Sequence, residues 1–280
     1  MLHCLAEMPG VTIDDHELHF TRSGKGPPLL LIQGLGGHTA HWGAHFPALL
    51  AQKLDVIAFD HVGTGRSQPL DTHLQHGTGR ELSIRGMARD AAGLLAALGL
   101  ERAHVLGLSM GGMVAQALAL ERAELVERLV LMGTSPSAPR GARTPRESIE
   151  ALMSAWTSGD PERAIRTGLE VNVSARYAAE PGTLDAWRET AVDHPVGLPV
   201  LGAQLEAIRG HDALDDLAEM QMPTLIVHGT DDRILPVGNA HLLAGVIPNA
   251  QLELLDGVGH LSYLEQPERV AGLVLEFLLD

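Results

Sequence analysis

The chain has 280 residues, 45% of them hydrophobic and 20% charged, a composition that implies a folded globular protein with one core and room for a modest insertion. Asp and Glu number 35 against 20 Lys and Arg, a formal charge of -15, and such an anionic excess repels phosphate backbones and anionic lipid, so neither nucleic acid nor a membrane is an expected partner. The single cysteine, Cys4, permits no internal disulfide and no cysteine-based metal site; no segment approaches the roughly 20 apolar residues of a membrane helix, Met1 to Gly10 lacks the basic-then-apolar pattern of a secretory leader, and the expectation is a reducing, cytoplasmic setting.

Val11 to Arg22 alternates polar and apolar residues around Ile13, Leu18 and Phe20, as an antiparallel edge hairpin would. After a turn at Ser23 to Pro28, the run Leu29-Leu30-Leu31-Ile32 reads as a strand buried on both faces, and it stops at Gln33-Gly34-Leu35-Gly36-Gly37. Glycines clustered behind a buried strand signal backbone that approaches something closely. His41 to Gln52 is expected to be a helix, with His38, His41 and His45 on one face. No carboxylate or cysteine completes a ligand set around them, so the histidines are read as a solvated face and no metal is expected.

Val56 to Asp60 is the next buried strand. The Gly63-Thr64-Gly65 that follows lacks the third glycine of a dinucleotide fingerprint, since Gln68 stands there and Pro69 follows, and it is read as a structural turn. Residues 69 to 80 are a polar surface loop, and Ser83 caps a helix running to Leu98. Then Ala103 to Gly107 reads as a short strand and the sequence from Met113 onward as helix. Ser109 stands at the change, inside Gly107-Leu108-Ser109-Met110-Gly111. A Gly-x-Ser-x-Gly turn projects a serine hydroxyl away from the sheet, and the flanking glycines remove the side chains that would block it.

Leu129 to Gly133 is another buried strand, so strands and helices alternate, which predicts a mainly parallel sheet with functional loops at the strands' carboxyl ends. The alternation stops over residues 136 to 217, where helix-like segments near 146 to 157, 161 to 172, 183 to 193 and 199 to 210 suggest a helical insertion. It resumes at Thr224 to Gly229, with Asp231 and Asp232 just beyond, a helix to about Val246, a strand at Leu252 to Leu255, His260, and an amphipathic helix from Pro267 to Leu279.

A serine, an aspartate and a histidine thus fall in that order at the carboxyl ends of predicted strands. Together with Gln-Gly-Leu-Gly-Gly, Phe-Asp-x-x-Gly-x-Gly-x-Ser, Gly-Leu-Ser-Met-Gly-Gly, Gly-x-x-Asp-x-x-x-Pro and Gly-x-Gly-His, this order resembles the α/β-hydrolases over most of residues 25 to 135 and 220 to 280. The resemblance implies an α/β fold. Its sheet would be mainly parallel and eight-stranded with helices on both faces, its core would comprise 1-135 and 218-280, and a helical cap at 136-217 would precede the acid-bearing strand. It implies Ser109 as nucleophile, His260 as base, and Asp232 in preference to Asp231 as the acid, because the family's acid lies three residues after the strand-end glycine, here Gly229. Backbone amides of Leu35 and Met110 would bind the oxyanion. Gln33 departs from the family's usual histidine, and Val62 from a common arginine.

In detail the chain looks closest to the enol-lactonase and small carboxylesterase branch, which implies cleavage of a small or medium carboxylic ester or lactone without cofactor. Thioesterase, C–C hydrolase and perhydrolase chemistry use the same triad, and a non-catalytic ligand-binding member shares the fold. A serine at the elbow argues against dehalogenases and epoxide hydrolases. Met153, Trp156 and Trp187 are the cap's candidate pocket residues, although their helical spacing fits packing as well.

Overall fold

The computed structural model describes residues 10 to 70, 82 to 192 and 194 to 280. Cys4 and all but the first two residues of the 69 to 80 loop lie outside the described residues. Strands β1 (Val11–Ile13) and β2 (His16–Leu18) form a hairpin around Asp14, whose φ is 52°. Strand β3 (Phe20–Gly24) follows and runs antiparallel to β5 (Asp55–Phe59); β4 (Pro28–Ile32) lies on the other side of β5. With β6 (Ala103–Leu108), β7 (Val126–Met132), β8 (Thr224–Gly229) and β9 (Gln251–Leu255), these build a seven-stranded sheet in the order β3-β5-β4-β6-β7-β8-β9. All pairings beyond β3·β5 are parallel.

The sheet has seven strands where eight were expected. Strands β1 and β2 pair with each other and not with this sheet, which the chain joins at His19. There the His19 amide donates to Ser67 Oγ at 2.8 Å and its carbonyl accepts from Asp60 N. The β1-β2 ladder is a separate two-stranded sheet.

The continuous apolar runs in the sequence have a direct cause in the packing. Alternate residues of each central strand face opposite ways: Leu30, Ile32, Val105, Leu129 and Leu131 join one buried cluster, while Leu29, Leu31, Leu106, Val130 and Met132 join another. Both faces are covered, so neither alternate set can be polar. The first face is covered by α2 (Ile84–Ala97) and α3 (Met110–Glu121), the second by α1 (His45–Leu50) and α11 (Pro267–Leu279). Ser83 caps α2 by accepting from Gly86 N at 3.0 Å.

The helix expected over His41 to Gln52 is instead a 3-10 turn at Thr39–Trp42 followed by α1. Gly43, with a φ of 67°, breaks it. The three histidines therefore do not share a helical face. His45 pairs with Glu268 on α11 at 2.7 Å, whereas the His38 and His41 rings meet edge to face.

Between β7 and β8 the chain forms α4 (Arg146–Trp156), α5 (Pro161–Asn172), the single turn α6 (Ala175–Ala178), α7 (Thr183–Val192) and α8 (Leu198–Arg209). Only α6 has no counterpart in the sequence reading. Asp160 caps α5 through Glu162 N and Arg163 N, with Pro161 opening the helix. The helical segment is closed at its base by a bridge between Ser137 and Asp212, with Ala138 N donating to His211 O and Ala213 N to Pro136 O. Ala213 and Leu217 already belong to the core. Beyond β8 come α9 (Gly238–Val246), β9, the turn α10 (Ser262–Glu265) and α11.

His211, at that base, is buried beside Gln116. Burial pushes its pKa down from the ordinary histidine value of 6.5 to about 4, so the folded chain keeps it neutral. As pH falls below 6.5 the unfolded chain binds this proton first, and the stability His211 contributes at neutral pH is lost between pH 6.5 and 4. Urea midpoints should fall across that window, and His211→Gln should make the fall shallower; an unchanged slope would contradict the neutral, buried histidine.

Candidate active site

The β6–α3 junction places Ser109 at the carboxyl edge of the sheet in a strained conformation, φ 55° and ψ -121°. Such a backbone persists only where its surroundings hold it, and here they do. Ser109 N donates to Met132 O at 2.9 Å, and Ser109 O accepts from Thr134 Oγ1 at 2.6 Å and Gly112 N at 2.9 Å. From residue 103 to 119 every residue is buried except Ser109. The strain therefore delivers one hydroxyl out of an otherwise sealed segment.

The elbow is set hard against the end of β4. A Cβ on Gly111 would lie 2.1 Å from Ile32 O, and one on Gly34 would lie 3.0 Å from Ser109 Cβ. The loop at residues 33 to 37 and the first turn of α3 thus converge on the serine. In that loop Gly34 N donates to Gln33 Oε1 at 2.8 Å, Gly37 N to Gly34 O at 3.0 Å, and Gly36 N to Gln204 Oε1 at 2.7 Å. The amides of Leu35 and Met110 make no hydrogen bond to any described residue. Two unspent donors flank the hydroxyl, one of them at the positive end of α3.

Gln33 holds the loop with its own side chain. Its oxygen takes the Gly34 amide, its nitrogen reaches Tyr263 Oη at 3.4 Å, and Tyr263 Oη donates to His41 O. His61 Nε2 supports the Gln33 carbonyl at 3.3 Å, and burial lowers the His61 pKa to about 4, so the ring is a neutral donor. Val62 packs on the core. The Gly63-Thr64-Gly65 segment wraps the Asp60 carboxylate, which accepts from Thr39 N and Arg66 N; it is a structural turn.

Asp232 and His260 meet at the ends of β8 and β9. Asp232 Oδ2 lies 2.7 Å from His260 Nδ1, and Oδ1 accepts from Ile234 N and Leu235 N, each at 2.8 Å. Burial works against a charge on Asp232, but the attraction of His260 and the hydrogen bonds from His228 and His260 outweigh it and hold the carboxyl well below its usual range. Asp231 is exposed and contributes its backbone amide to Val258 O. The geometry therefore brings Asp232, and not Asp231, to the histidine. The His260 ring rests on Gly133, where a Cβ would lie 3.2 Å from Nδ1; Gly133 follows directly on Met132, the residue that accepts the Ser109 amide.

Three side chains here escaped the sequence reading. His228 Nε2 lies 3.2 Å from Asp232 Oδ2 and 2.7 Å from Leu235 O. Glu265 accepts from Gly259 N, Ser174 N and Ser174 Oγ, joining the histidine loop to the N-terminus of α6. Gln204 on α8 holds Gly36. Glu265 lies five residues after His260 and two before Pro267, a short spacing that could have pointed to it, whereas nothing in the periodicity of α8 marks Gln204. Of the residues expected to line a pocket between β7 and β8, Met153 is 49% exposed, Trp156 is half-buried, and Trp187 is half-buried with its Nε1 donating to Ile165 O. A cavity of about 640 Å³ lies elsewhere, between α1 and strands β3 and β5, and neither Ser109 nor His260 lines it. Among the described residues no group of three or more His, Cys, Asp or Glu could hold a metal ion, and no helix is long and apolar enough to cross a membrane.

The α/β-hydrolase fold family matches residues 27–267. The chain belongs to that family. "Putative carbamate hydrolase RutD" of Pseudomonas savastanoi pv. phaseolicola is 34% identical over 266 residues, spanning 94% of this chain and 98% of the relative. A hydrolase from Pseudomonas aeruginosa PA01 superposes with a TM-score of 0.81 at 28% identity, covering 98% of this chain and 99% of that one. The enol-lactonase from Burkholderia xenovorans LB400 gives a TM-score of 0.82 at 26% identity, covering 97% and 100%. The chain is a hydrolase of the α/β fold.

The close approach of Gly111 to β4 makes a direct test of the elbow. Gly111→Ala should destabilise the protein by about 1–3 kcal/mol or more, since its methyl meets backbone rather than a side chain that can swing away; urea unfolding measures it, and an unchanged midpoint would contradict the packing.

Proposed function

We propose that this hydrolase cleaves a small or medium carboxylic ester or lactone through an acyl-enzyme formed on Ser109. The observation that carries the reading is the 2.7 Å contact between Asp232 Oδ2 and His260 Nδ1, which commits one imidazole nitrogen and leaves Nε2 as the nitrogen for Ser109. A serine hydroxyl is a poor nucleophile at neutral pH and needs such a base.

The steps follow from these roles. His260 Nε2 takes the Ser109 proton as Oγ bonds to the substrate carbonyl carbon, and Asp232 stabilises the imidazolium. The oxygen that becomes negative is received by the Leu35 and Met110 amides. His260 then gives the proton to the leaving alcohol oxygen as its bond to carbon breaks; in a lactone that oxygen stays tethered to the acyl group. Water, deprotonated by His260, attacks the acyl carbon, and Ser109 departs with its proton restored. No metal or organic cofactor is needed for any step.

The likeness to an enol-lactonase supports a lactone or ester. The 34% identity with the RutD relative favours a second reading, a carbamate, in which the same serine would carry a carbamoyl rather than an acyl group. A panel of p-nitrophenyl esters of increasing chain length, lactones and aryl carbamates separates the two: the ester and lactone reading requires higher kcat/KM on those members, and the reverse order selects the carbamate.

Two further measurements test the roles. A fluorophosphonate probe should label the wild-type protein and leave Ser109→Ala unlabelled; persistent labelling would remove Ser109 as nucleophile. Asp232→Asn should lower kcat by about 10⁴-fold, the scale seen when such an acid is replaced by its amide, with Asp231→Asn close to wild type. A larger loss at Asp231 would reverse the assignment.

A further inference from the structure

Helix α8 touches the loops around Ser109 at two glycines. A Cβ on Gly36, whose φ is 65°, would lie 2.7 Å from Leu201 Cδ2, and one on Gly63, whose φ is 84°, would lie 3.0 Å from Val200 Cγ2. One turn further along α8, Gln204 is fully buried and its Oε1 accepts the Gly36 amide at 2.7 Å. Its Nε2 is buried without a partner among the described residues. A buried, half-satisfied carboxamide is unfavourable by itself, and a residue kept for packing alone would be better served by Leu or Met.

We propose that Gln204 is a positioning residue for oxyanion binding: by fixing Gly36 from the cap side it aims the neighbouring Leu35 amide at the reacting carbonyl. This rests on the reading of Leu35 as an oxyanion donor. The loop has three glycines in five residues, so its backbone has many conformations to lose. On one side it is held by Gln33, whose side chain takes Gly34 N. On the other side Gln204 takes Gly36 N, and Leu35, between the two anchored amides, is the donor left over. Removing Gln204 frees one side of the loop, so the donor is no longer preorganised where charge develops, and preorganisation is the source of its effect on rate.

The test compares Gln204→Met with Leu201→Ala, which trims the apolar contact of α8 with Gly36 and keeps the hydrogen bond. For each variant kcat and KM are measured on the best p-nitrophenyl ester, together with inhibition by a trifluoromethyl ketone, which forms a tetrahedral oxyanion on the serine, and by the matching secondary alcohol, which does not. Gln204→Met should lose about tenfold or more in kcat, a fraction of the 100- to 1000-fold effect of deleting a donor outright, with a parallel loss of trifluoromethyl ketone affinity and unchanged KM and alcohol affinity. Leu201→Ala should lower Tm with both affinities kept in their wild-type ratio.

Equal weakening of ketone and alcohol binding in Gln204→Met, or a change in Tm alone, would overturn the proposal and leave Gln204 a packing residue. A wild-type protein that gives no ketone adduct and no fluorophosphonate labelling would overturn the serine reading itself, and the role of Gln204 with it. Adduct formation that survives Leu35→Pro, which deletes that amide, would remove Leu35 as donor and this proposal too.

Discussion

Everything around Ser109 depends on how closely α3 approaches the ends of β4 and β6. The helix starts within contact of the Ile32 carbonyl, a distance that only a residue without Cβ allows at Gly111. That approach points the first amides of α3 at the serine and brings the 33 to 37 loop alongside. A looser junction would relieve the strain at Ser109, but it would also separate the hydroxyl from both unspent amides. The strained φ is the cost of putting that hydroxyl and those amides in one place, and hydrogen bonds with Met132, Thr134 and Gly112 hold it there.

The rest of the site is arranged so that different elements hold different groups. Asp232 is fixed by two backbone amides of its own turn, and His260 by Asp232 on one side and by the Gly259–Glu265 bond behind it. The helices between β7 and β8 take part in this support at opposite ends. Ser174 reaches Glu265 behind the histidine, Leu261 N donates to Asn172 O, and Gln204 reaches Gly36 beside the serine. The inserted segment is therefore tied to both sides of the site instead of resting on it as a separate cover.

The fold was legible because each of its signals is local and repeated. Buried parallel strands write continuous apolar runs, Ser83 marks a helix start, and Gly107 is demanded by the nearby Gly111 carbonyl. The proximity of Asp232 to His260 agrees with its spacing from Gly229. Most of what was not legible depends on contacts across the chain, and one local break adds to it. The His41 to Gln52 segment has helical composition, yet Gly43 turns the backbone and splits it. The separation of β1 and β2 from the main sheet is not written in their alternation of polar and apolar residues, which suits a two-stranded ladder as well as an edge strand. Gln204 looks like any polar helix residue until α8 is seen against Gly36, and Gln33 reads as a departure until its side chain is seen to hold the Gly34 amide.

The bridge between Ser137 and Asp212 has a consequence for how the molecule assembles. Ser109 and Asp232 stand on strands separated by the whole helical segment, and β7 cannot find β8 until that length of chain is folded back. Closing a long loop costs entropy that grows with its length. Once the antiparallel bridge forms at the base of the segment, the two chain ends emerge side by side, with Ala213 and Leu217 already entering the core. The remaining closure, from Met132 to Thr224, then spans about five residues on one side and about a dozen on the other. The helices that contact the site can thus fold among themselves first, and the parallel pairing that completes the sheet becomes a local event.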